Sequence, residues 1–248
     1  MSEKRTRARR WLAVLKVVVS AGLLAWLLVR MAQREGIPTL VDRLYAIEPA
    51  WLAAAVALHA LAVLGGVLRW RSLLSGAGIE LPLGWLVRSF LVGRFVGAFT
   101  PSTAGLDGWR IWDAGTASGA MGKSAAVIVV EKLVGLIGMA LVCAALVPFG
   151  GAELLGPSAI LVALALAGGA ATGLAAIARP ALLRRLGERL PRALRGRSQR
   201  ALEALSSARL DARRLATTVL LGVLSHVALS AVFWATAGAL AVDVDAAT

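Results

Sequence analysis

The chain alternates long apolar runs with short polar ones. Five runs reach the roughly 20 residues that a helix needs to cross a bilayer. They are Trp11–Val29, Ala50–Leu68, Ser124–Phe149, Pro157–Ala178 and Leu215–Val242. A sixth run, Trp85–Phe99, is different. Its 15 residues rise only about 22 Å as a helix, short of the ~30 Å hydrocarbon core. It carries Arg88 and Arg94, with Pro82 and Gly84 breaking the chain before it and Pro101 and Gly105 breaking it afterwards. The pattern predicts an all-α, polytopic integral membrane helix bundle: about five transmembrane helices plus a further segment at 85–99.

Composition supports that class and excludes others. Of the 248 residues, 58% are hydrophobic and only 17% charged, with mean hydropathy +0.76. A soluble domain has about a quarter of its residues charged, so a soluble globular protein is ruled out. The formal charge is nevertheless +13, from 27 Lys+Arg against 14 Asp+Glu. In so apolar a chain this excess points to cytoplasmic loops beside an anionic leaflet rather than to nucleic acid. Cys143, the single cysteine, excludes a disulfide framework and a cysteine-based metal site. His59, His226 and one tyrosine leave little material for acid–base catalysis. No phosphate-binding loop, dinucleotide fingerprint, zinc motif or nucleophile elbow is present. The expectation is a protein that is not an enzyme and has no cofactor and no metal.

Charge also sets orientation. Met1–Arg10 holds Lys4, Arg5, Arg7, Arg9 and Arg10, and Arg179–Arg214 holds eleven Arg against Glu188, Glu203 and Asp211. Both belong on the cytoplasmic side of the cell membrane. The first helix is read as uncleaved, because no small-x-small site follows it. The segments Arg30–Pro49 and Gly150–Gly156 carry no basic bias and suit the outside. Spans one to four then go out, back, out and back, which places both basic segments together. A further single crossing by 85–99 would break this parity. Re-entry from the cytoplasm keeps it, and so does an amphipathic helix lying on the surface. Re-entry also accounts for the short length, the flanking breakers and the two arginines.

Candidate chemistry lies between the second and third spans. Arg69 and Arg71 precede the segment, Arg88 and Arg94 lie within it, and Thr100–Arg110 follows with Pro101, Ser102, Gly105, Asp107 and Arg110. Ser or Asp can cap a helix beginning there, Asp107 and Arg110 can pair at i,i+3, and a helix N-terminus favours anions. Arg88, Arg94 and Arg110 with the 101–107 turn therefore form a candidate phospholipid-headgroup site, in which Asp107 orients Arg110. Arg69, Arg71 and Arg110 can also be ordinary cytoplasmic flanks. In the third span, Glu131 calls for a basic partner, expected to be Arg94 or Arg110, and it shares a face with Gly135 and Gly138. Lys132 can simply snorkel. His59 and His226 are read as interhelical hydrogen-bonding groups. Gly93-x-x-x-Gly97 and Gly169-x-x-x-Gly173 match a small-residue packing pattern.

Leu68-Arg69-Trp70-Arg71, Gly93-x-Phe95, Phe99-x-Pro101-Ser102, Gly105-x-Asp107-x-x-Arg110 and Val130-Glu131-Lys132-Leu133, in this order, resemble the flippase-like transmembrane region of the lysylphosphatidylglycerol synthase family. The resemblance implies a domain that moves aminoacylated phospholipids or lipid-linked glycans between leaflets, with the Pro-Ser…Gly…Asp…Arg stretch in a re-entrant, headgroup-facing region. Where the family often has Gly-Gly-Asp, this chain has Gly105-Leu106-Asp107. The chain reads as one such domain over residues 1–248, short at its C-terminus relative to the family. The expected partners are membrane lipids, either an anionic phospholipid or a lipid-linked glycan, with no nucleic acid. The leading expectation is a lipid translocator. The alternative is a non-transporting scaffold subunit for a lipid- or glycan-modifying enzyme. The further partner expected is such a membrane enzyme or a second copy of the chain in a homo-oligomer.

Overall fold

The computed structural model describes residues 45–100, 103–146, 151–177, 179 and 211–240, with scattered positions between 21 and 42. Pro101, Ser102, much of the first span and the basic stretch 180–210 lie outside the described residues.

Each element described is an α-helix: α1 (Pro49–Gly76), α2 (Leu83–Ala98), α3 (Ala104–Ser118), α4 (Met121–Leu146), α5 (Gly151–Ile177) and α6 (Ala212–Ala239). Local chemistry sets their ends. Pro49 opens α1, where its fixed φ suits the first turn, and Pro82 in an extended conformation precedes α2. Gly119 closes α3 at φ 67°, a left-handed conformation that favours glycine. Asp211 starts α6 by accepting the Arg214 N–H at 2.6 Å. Gly156 breaks the early part of α5.

Among the described residues, α1, α4 and α6 are long and apolar enough to cross a membrane, and Ile160–Ala175 is a shorter apolar stretch. These match the second, third, fifth and fourth expected spans. α1 continues past its apolar run, through Arg69 and Arg71 to Gly76. Those arginines end the hydrophobic pattern without ending the helix, since Arg is a good helix former.

Small residues bring the helices together. Gly238 abuts Trp51, Gly65 abuts Leu221 and Ser225, and Gly222 abuts Arg69, so α1 and α6 run antiparallel. α2 turns back along α1, with Phe90 against Gly66 and the Trp70 and Trp85 rings 6.5 Å apart. α3 returns along α2, Leu106 lying against Gly93 and Gly97. α4 reverses again, with Gly115 against Met121. Hence α1 and α4 run in opposite directions, and residues 77–120 start and finish at one end of the bundle. α2 and α3 form a hairpin between them. Val67, Trp70, Leu74, Leu86, Val127 and Val130 supply the core that fixes the hairpin in place.

Aromatic residues mark both ends. Trp51 and Trp234 pack edge-to-face at 4.8 Å where α1 begins and α6 ends. Trp70, Trp85, Trp109 and Trp112 gather toward the opposite end. Trp51 and Trp70 are about 28 Å apart along α1, close to the ~30 Å hydrocarbon thickness that interfacial tryptophans bracket.

Candidate functional site

The hairpin is tied to its neighbours by a chain of ion pairs. Arg110 of α3 is 2% exposed and Glu131 of α4 is 4% exposed. Arg110 donates from Nη1 to Glu131 at 2.8 Å and from Nη2 to Asp107 at 2.9 Å. Its guanidinium carbon also lies 5.2 Å from the Trp70 ring centroid and 5.1 Å from that of Phe90. Arg69 of α1 reaches the second Glu131 oxygen at 3.1 Å. Lys132 donates to Asp107 at 2.8 Å and to Thr103 at 3.0 Å. α1, α3 and α4 thus share one ion-pair network, which α2 meets through the Phe90 ring. A buried carboxylate left alone is costly, and two arginines satisfy this one. Three cations to two carboxylates leave one positive charge in excess.

Asp107 and Arg110 pair as the i,i+3 spacing requires. The helix cap differs from expectation. Asp107 turns its carboxylate to Arg110 and Lys132 instead of to backbone N–H groups, and Ser102 lies outside the described residues. The Thr100 hydroxyl accepts the Gly105 N–H at 2.9 Å and donates to the Gly97 carbonyl at 3.1 Å. Gly105 is required by this approach: a Cβ there would stand 3.0 Å from the Gly97 Cα and strike the Thr100 side chain. The Thr103 hydroxyl adds a bond to Asp107 at 2.9 Å.

Arg94 does not join Glu131. It points to α1, where its Nη2 lies 3.2 Å from His59 Nε2. His59 stands about 15 Å of helical rise from Pro49 and about 25 Å from Gly76. The hairpin therefore carries Arg94 deep between the two tryptophan layers. Arg88 is exposed on α2, about 9 Å of rise nearer the hairpin's mouth and on another face. Arg71 is exposed on α1. The structure thus separates Arg88, Arg94 and Arg110, which sequence reasoning had placed in one site: Arg110 is committed to carboxylates inside the bundle, while Arg88 and Arg94 are exposed.

His226 also bonds between helices, its Nε2 lying 3.3 Å from the Gly135 carbonyl. Gly138 abuts Gly222 and Val223 of α6, so the small-residue face below Glu131 is a packing seam. Gly173 meets Leu133, whereas Gly169 faces open space. Lys132, treated as a snorkelling cation, is a network member with its side chain 48% exposed. Thr100 and Thr103 went unnoticed in the sequence. Their signal was position: two hydroxyls flanking the break between two helices.

No curated protein and no solved structure matches the chain. The family model described as the lysylphosphatidylglycerol synthase transmembrane region matches residues 13–248, essentially its whole length. The chain belongs to that family, and is a membrane protein related to lipid modification or flipping.

Proposed function

We propose that the chain is a lipid translocator: it carries an anionic or aminoacylated phospholipid, or a lipid-linked glycan, between leaflets and makes no covalent change to it. The observation that supports this most is the depth at which the α2–α3 hairpin holds positive charge. A headgroup crossing hydrocarbon loses its hydration, and an isolated charge there is costly. A cationic hairpin entering from one side supplies replacement partners along part of that path. Arg88 sits near the mouth and Arg94 farther in, while Lys132 is half exposed beside the first turn of α3. Arginine suits the task because its planar fork binds phosphate oxygens in pairs and keeps its charge. Asp107 and Glu131 hold Arg110 near the start of α3, so Arg110 positions the hairpin; Pro101, Ser102 and Gly105 belong to the same headgroup-facing stretch in this reading. With the basic terminal and 179–214 segments in the cytoplasm, the hairpin opens toward the cytoplasmic leaflet of the cell membrane.

The test is lipid movement in phosphatidylcholine vesicles containing a fluorescent phosphatidylglycerol reporter. The wild-type protein should expose inner-leaflet reporter to an external quencher faster than protein-free vesicles do. Arg94→Ala and Arg88→Ala should each lose most of that rate, while Arg213→Ala, on the exposed start of α6, should keep it. Wild-type vesicles no faster than empty ones would overturn the reading.

A further inference from the structure

Arg69, Arg110 and Lys132 each meet a carboxylate. Arg94, deeper along the hairpin, meets among the described residues only the His59 ring. An arginine offers donors and no acceptor, so His59 Nε2 must be the acceptor and its proton must sit on Nδ1. The other elements packed on α1 leave this pair without a carboxylate. Glu131 and Lys132 of α4 are engaged in the network, and His226 of α6 bonds to Gly135. The result is an exposed guanidinium between the tryptophan layers whose charge no described residue neutralises, in a place where such a charge costs about 3 kcal/mol even on the mildest scale.

We propose that Arg94 and His59 form a phosphate station midway along the bundle, in the groove between α1 and α2. The ligand is the singly charged phosphodiester of a lipid headgroup. When it arrives, Arg94 donates to its oxygens, and His59 shifts its proton from Nδ1 to Nε2 by exchange with water, so that Nε2 turns from acceptor to donor. No bond to phosphorus forms or breaks. This deepens the translocation reading by placing a second stop beyond Arg88 and by giving His59 a part in it.

The experiment uses the full chain with ¹⁵N-labelled histidine in phosphate-free maltoside micelles, the His59 signals being those missing from His59→Gln. Without additive, Nε2 should resonate as an unprotonated acceptor. Phosphatidylglycerol should convert it to a protonated donor, and Arg94→Gln should abolish the conversion and weaken phosphatidylglycerol binding roughly tenfold or more. The same conversion with inorganic phosphate alone would make free phosphate the ligand and overturn the lipid assignment. An Nε2 unchanged by either probe, or converted equally in Arg94→Gln, would overturn the station. Lipid movement without conversion would remove the station and leave translocation standing; conversion without movement would do the reverse.

Discussion

Arg110 shows what a charged residue inside this bundle is for. It is surrounded by Glu131, Asp107, Trp70 and Phe90, and water reaches almost none of it. Removing one partner of a buried pair strands the other's charge, so Arg110→Ala should destabilise the protein by about 3–5 kcal/mol. Lys132→Ala removes a half-exposed pair and should cost no more than about 1 kcal/mol. Thermal or denaturant unfolding in detergent micelles checks the ordering; equal losses would mean that the network does not anchor the hairpin. The Asp107–Arg110 pair and the need of Glu131 for a basic partner were legible, because spacing and burial cost act locally. The choice of Arg69 over Arg94 was not legible. It depends on α1 meeting α4 at the depth where α1 leaves its apolar run, a matter of tertiary register.

At the scale of elements, the hairpin depends on how closely α2 and α3 approach. Gly93 and Gly97 were visible as a small-residue pattern, and both face Leu106. Gly105 and Thr100, which close the turn, were visible only as breakers. Gly105→Ala must displace the Thr100 hydroxyl or the Gly97 backbone, so an overpacking loss of about 1–3 kcal/mol is expected. Gly108 lies one turn on with nothing within 4 Å of an added Cβ. Gly108→Ala should therefore stabilise α3 by up to about 1 kcal/mol through helix propensity. Melting temperatures of the two variants should move in opposite directions, and a stabilised Gly105→Ala would disprove the tight turn.

At the scale of the molecule, the apolar runs announced an all-α membrane bundle because five of them reach roughly the length a bilayer demands. The helices overrun those runs because a helix does not stop where the hydrocarbon does. Parity required both ends of 77–120 on one side, and the antiparallel course of α1, α2, α3 and α4 provides it. The arrangement of the arginines was less legible: three charges close in sequence fall on different faces of two helices, and only packing decides which is buried. The hairpin can serve a headgroup only if it enters and leaves through one face of the membrane. The most direct measurement is labelling by a membrane-impermeant maleimide of Ser72→Cys, near the end of α1, and Ser118→Cys, at the end of α3, each in a Cys143→Ser background. The hairpin predicts that both label from the same, cytoplasmic side; labelling from opposite sides would contradict it.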